Sequence, residues 1–108
     1  MTIRVTFNAN NLPVASCEVS SLPGNGQVAV FHHNFVSPLL RGKGWGKTAN
    51  NWFVDHMKNE LLYNYAICTV EASNLPQLII MEKCGWKKLD QFISSKTGNE
   101  VILFGRGL

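Results

Sequence analysis

The sequence predicts an α+β fold: a mixed, mostly antiparallel sheet carrying two main helices, in the order β-β-β-α-β-α-β-β. Three observations carry that expectation. Apolar residues alternate through the N-terminal third between two clusters of turn formers. From about Gly44 the apolar spacing changes to three and four, the period of a helix with one buried face. After Asn64 an apolar run, a capped helix and a hairpin signal follow in succession.

Ile3, Val5 and Phe7 alternate in a first strand over 2–7, and the turn formers from Asn8 to Pro13 lead into a second over 14–20. Ser21 to Gly26 makes another turn, and 27–36 is a longer third strand, so these three form an antiparallel meander. Trp45, Ala49, Trp52, Phe53, His56, Met57 and Leu61 then mark the first helix. The run 65–71 is a buried strand. Asn74 caps the second helix, with Gln77 three residues on as its capping-box partner. Gly85 closes that helix as a left-handed C-terminal residue. The segments 86–95 and 99–105 form a final hairpin around Lys96 to Asn99.

With 108 residues, 45% of them hydrophobic, the chain holds one core and a single domain over 1–108. A net charge of +3 with dispersed Lys and Arg argues against nucleic acid, and the three tryptophans fit core and helix positions. No apolar run reaches the ~20 residues of a membrane span. Cys17, Cys68 and Cys84 are odd in number, without CxxC spacing or an apolar leader, which points to free thiols in a reducing cytoplasm. The His and Cys residues lack ligand-like spacing, so no metal is expected.

The most informative segment is Val36-Ser-Pro-Leu-Leu-Arg-Gly-Lys-Gly-Trp-Gly-Lys-Thr-Ala49. A strand runs into Gly42, Gly44 and Gly46 and then directly into a helix. Free backbone N–H groups and the positive end of the helix dipole suit a phosphate there, and glycine allows the close approach. Arg41, Lys43 and Lys47 gather around it. A nucleotide-triphosphate loop would need glycine at position 41, which is Arg. The dinucleotide fingerprint G-x-G-x-x-G fails too, its third glycine coming one residue early.

The pattern V-x-P-x-x-R-G-x-G-x-G, supplied by Val36, Pro38, Arg41, Gly42, Gly44 and Gly46, resembles the acetyl-coenzyme A (acetyl-CoA) pyrophosphate loop of the GNAT superfamily of N-acyltransferases. A second block resembles the same superfamily: a strand, Asn74, and a helix ending in Glu82-Lys83-Cys84-Gly85-Trp86. The resemblance covers roughly residues 28–92. It implies an N-acetyltransferase with acetyl-CoA as co-substrate and a primary amine as acceptor, on a protein lysine or N-terminus or on a small molecule. Backbone N–H groups of Arg41, Gly42, Lys43, Gly44, Trp45, Gly46 and Lys47 would hold the pyrophosphate. Phe35 or Val36 would offer the oxyanion donor, and Asn74 would orient the pantetheine arm. The superfamily's usual first strand and two helices have no counterpart before Thr2, so the expectation is either that a homodimer or a partner chain completes the acceptor side, or that the acceptor is a large surface that needs little enclosure.

The resemblance breaks at the acid and base. Met81 stands at the usual Tyr, and methionine cannot donate a proton; Thr69 stands where a related branch has a carboxylate base. Glu71, on the same strand face as Thr69, is the first substitute for the base. His32 and His33, mid-strand and expected to face opposite sides, are the others, since a histidine near neutral pKa suits a base. A coenzyme-binding or partner-binding module that has lost turnover is the alternative.

Overall fold

The computed structural model describes residues 2–108. Its elements are strands β1 (Thr2–Ala9), β2 (Leu12–Leu22) and β3 (Asn25–Val36), helix α1 (Trp45–Asn59), strand β4 (Tyr65–Glu71), helix α2 (Leu75–Lys83), and strands β5 (Lys87–Ile93) and β6 (Glu100–Gly107). A short 3₁₀ turn, Pro38–Leu40, lies between β3 and α1. The six strands form one sheet in the order β1-β2-β3-β4-β6-β5. Every neighbouring pair is antiparallel except β3 and β4, which are parallel. A parallel pair needs a crossover, and α1 supplies it. The predicted fold class and element order are those observed.

Several element ends differ from expectation. The first turn narrows to Asn10 and Asn11, both at positive φ (52° and 62°), the primed-turn conformation that Asn tolerates and that matches strand twist. The ladder therefore runs to Ala9↔Leu12, and both strands are longer than the alternation suggested. Trp86 lies in the core ahead of β5, not in the strand. At the end of α2 the Gly85 N–H bonds the Glu82 carbonyl (3.2 Å) and the Trp86 N–H bonds the Met81 carbonyl (3.0 Å), with Gly85 at φ 83°. That Schellman closure turns the indole inward.

Strand register separates the two faces of the sheet. Val5↔Cys17, Val19↔Phe31, Ala29↔Ala66 and Cys68↔Phe104 place a continuous buried row across five strands. The helices cover this row. Phe31 packs on Phe53 of α1 (ring centroids 5.8 Å apart) and stacks on Trp86 after α2 (5.9 Å). The one buried polar side chain among the described residues, Asn50 of α1, accepts a hydrogen bond from Trp86 Nε1 (2.9 Å) and so ties the two helices together. The other face carries Arg4, Glu18, Ser20, Val30 and His32 on the meander side, and Ile67, Thr69 and Glu71 on β4.

Candidate functional site

β3 and β4 pair only at Val28↔Tyr65, Ala29↔Ala66 and Val30↔Ile67. Beyond Val30 the β3 backbone has no β4 partner, and a groove of about 740 Å³ opens at the splay. Its walls bring together most of the residues expected to hold a coenzyme: Phe35, Val36, Arg41, Gly42, Gly44, Gly46, Lys47 and Asn74 all line it. Lys43 is exposed and outside the lining, as is the Trp45 ring, which packs instead on Phe7 (6.4 Å).

The N-terminus of α1 faces this groove unsealed. Gly44 is the N-cap, at φ 82°, and brings no side chain to cap the helix. The first N–H groups of α1, on Trp45, Gly46 and Lys47, therefore have no intrahelical acceptor. Gly42 is also left-handed (φ 78°). At Gly46 a Cβ would stand 2.6 Å from Ile80 Cδ1, the movable tip of an α2 side chain at the groove wall. Arg41, Lys47 and Lys83 add positive charge to the lining. Arg41 Nε donates to the Val36 carbonyl (3.0 Å) and its guanidinium lies over the Phe35 ring (5.2 Å), so the cation is held at the strand end. Together these features give the groove free donors and positive charge of the kind that suits an anion at a helix start.

Asn74 caps α2, its Oδ1 accepting from the Gln77 N–H (3.4 Å). Asn34 was not foreseen. It lines the groove, and its Oδ1 is enclosed without a hydrogen-bond partner among the described residues. No sequence pattern marks it, because its position follows from a bulge.

The acid and base candidates scatter. Met81 is fully buried, its sulfur accepting from Gln77 Nε2 (3.5 Å). Tyr63 bonds Ser21 (2.7 Å), and Tyr65 starts β4 at the end opposite Glu71, so neither phenol reaches the splay. Glu71 is exposed at the end of β4, with Asn99 Nδ2 at 3.5 Å. Cys17 and Cys68 are inert: burial pushes each thiol up to about 12.

His32 and His33 do not face opposite sides. The β2–β3 register runs Ser16↔Phe35 and then Glu18↔His32, so His33 and Asn34 together oppose Cys17 in a β-bulge, and His33 sits at φ 51°. The bulge swings both imidazoles to one face. His33 Nδ1 lies 2.8 Å from His32 Nδ1 and 2.8 Å from Glu18 Oε2, while His32 Nδ1 is 3.6 Å from the same oxygen. His32 Nε2 pairs with Ser20 Oγ (2.9 Å). Linear spacing offered no ligand-like set among the His and Cys residues; strand pairing adds Glu18, a residue the sequence alone gave no reason to choose, and gathers one ligand atom from each of the three residues.

The profile of the acetyltransferase (GNAT) family matches residues 4–86. No curated protein matches the chain. Among solved structures, spermidine N-acetyltransferase from Vibrio cholerae in complex with CoA and spermine superposes with a TM-score of 0.85 at 17% identity, over 98% of this chain and 65% of that one. A GNAT-family acetyltransferase from Bacillus anthracis gives 0.80 at 16% identity over 98% and 65%. One from Streptococcus pneumoniae gives 0.80 at 11% identity over 99% and 66%. The chain thus spans about two thirds of the length of these structures.

Proposed function

This chain belongs to the acetyltransferase (GNAT) family, and from that membership we propose that it moves an acetyl group from acetyl-CoA to a primary amine. The observation that carries the reading is the uncapped start of α1 in a groove that also holds Arg41, Lys47 and Lys83. A pyrophosphate there takes the free N–H groups from Arg41 through Lys47, and pantetheine runs along the unpaired β3 backbone past Asn34, whose lone oxygen suits a ligand amide N–H. The thioester carbonyl then meets a backbone N–H near Phe35 or Val36, which stabilises the tetrahedral oxyanion.

Attack needs a neutral amine, and Glu71 is the base in this reading, since it stands exposed beyond the splay. His32 suits the role less well, with both ring nitrogens engaged; His33 keeps Nε2 free. Met81 leaves the leaving thiolate to take its proton from water. We expect Glu71→Gln to lower kcat about 100-fold with the KM for acetyl-CoA unchanged, read in a thioester-consumption assay; an unchanged kcat removes Glu71 as base.

The acceptor we favour is a protein lysine or N-terminus, because the sheet face opposite the helices offers a broad surface. A small polyamine is the rival, favoured by the spermine bound in the Vibrio structure. A second copy or a partner chain over that face would complete the acceptor wall, and light scattering reads it. The three buried free thiols go with a cytoplasmic setting. Met81 favours one further reading, a CoA-binding module without turnover. Calorimetry with CoA, alongside acetyl-CoA consumption over a panel of lysine peptides, N-terminal peptides and polyamines, separates these readings. Tight CoA binding without consumption selects the module, and no CoA binding rejects both.

A further inference from the structure

We propose that Glu18, His32 and His33 form a binding site for a borderline divalent cation, Zn²⁺ foremost, on the sheet face opposite the helices. The site is independent of the coenzyme groove, since none of the three residues lines it.

The convergence of three ligand atoms, one each from Glu18, His32 and His33, carries the proposal. Two contacts meet at His33 Nδ1, one to His32 Nδ1 and one to Glu18 Oε2, each 2.8 Å. A neutral imidazole nitrogen either donates one proton or accepts with one lone pair. If His33 Nδ1 carries the proton, Glu18 Oε2 and the His32 Nδ1 lone pair share it in a three-centre bond. If His32 Nδ1 carries it, the Glu18 carboxylate faces the occupied His33 lone pair. Neutral histidines and an ionised carboxylate thus offer the two contacts one shared proton at most. A divalent cation among the three atoms satisfies all of them at once.

The atoms lie near ligand spacing, and a small rotation of the exposed His33 ring widens the two short separations. Zn–N and Zn–O bonds of about 2.0–2.2 Å in tetrahedral array put neighbouring ligand atoms roughly 3.3 Å apart, and the three separations here are 2.8, 2.8 and 3.6 Å. Two imidazoles and one carboxylate suit Zn²⁺, Co²⁺, Ni²⁺ or Cu²⁺ over Mg²⁺ or Ca²⁺. An orienting shell is also present. Ser20 Oγ bonds His32 Nε2 (2.9 Å) and in turn meets Thr2 Oγ1 (2.9 Å), so a proton on Nε2 leaves the Nδ1 lone pair aimed at the cluster. The His33 side chain is 74% exposed, which leaves the remaining coordination positions open to water or to a ligand from solution.

The test is calorimetric titration of Zn²⁺ into the untagged, chelator-treated chain, with Co²⁺ as a visible-absorption reporter. We expect one equivalent to bind, with affinity falling at least about tenfold in His33→Ala and in Glu18→Gln, and less steeply in Ser20→Ala. Circular dichroism confirms that each variant folds, and His33, being exposed, is the safe substitution. Absence of binding to the wild type at a large molar excess overturns the proposal. So does binding that survives both His33→Ala and Glu18→Gln unchanged, or that is lost only when His56 is replaced.

Discussion

Single side chains in this protein divide by what their bareness or polarity permits. Gly46→Ala should shift stability in urea denaturation by less than about 1 kcal/mol, because the new methyl meets only the movable tip of the Ile80 side chain and alanine is the better helix former. Gly44→Ala finds open space around its Cβ, so its cost is the left-handed φ alone, about 1–2 kcal/mol. The two variants should also differ in binding: Gly44→Ala reorients the free N–H groups and should weaken CoA in calorimetry, and undiminished affinity would count against the phosphate assignment. Asn50→Leu strips the Trp86 indole of its buried acceptor, for which we expect a loss of about 1–3 kcal/mol. Most of the groove residues could be picked out in advance because the glycine spacing is local. Asn34 and Glu18 could not, since one owes its place to a bulge and the other to a partner fifteen positions away across a strand pair.

At the level of elements, the strand and helix order was readable because each piece obeys its own period and carries its own punctuation, as with Asn74 at the start of α2 and Gly85 at its close. What escaped was pairing. Alternation assumes an unbroken pleat, and it assigned His32 and His33 to opposite faces; the left-handed turn at His33 inserts a residue and cancels the rule. The parting of β3 and β4 after Val30 is likewise invisible in one dimension. It makes the pocket, and Lys47 at the helix start should matter more there than Lys43. We expect Lys47→Ala to raise the CoA dissociation constant several-fold and Lys43→Ala to leave it nearly unchanged; equal effects would mean the loop acts through diffuse charge.

For the molecule as a whole, the two deeply buried thiols set an alkaline limit. Cys17 and Cys68 are held protonated to about 12 by burial, against an ordinary 9.0. Below the ordinary value both states keep the proton and the native advantage is intact. Above it the unfolded chain ionises first, so stability falls as pH rises from about 9 toward about 12, by up to about 1.4 kcal/mol per pH unit for each thiol. Urea midpoints should drop over that window, and Cys68→Ala should flatten the decline; an equally steep decline in the variant would place its origin elsewhere.

The outer strand β5 has every residue exposed and borders solvent along one margin of the sheet. Its two ends are unequal: Lys87 and Lys88 repel any incoming strand, while Phe92 and Ile93 present greasy, unguarded backbone. In crowded solution, growth of the sheet by accretion of neighbours would begin at the Phe92 end, and a lysine there would act as a gatekeeper.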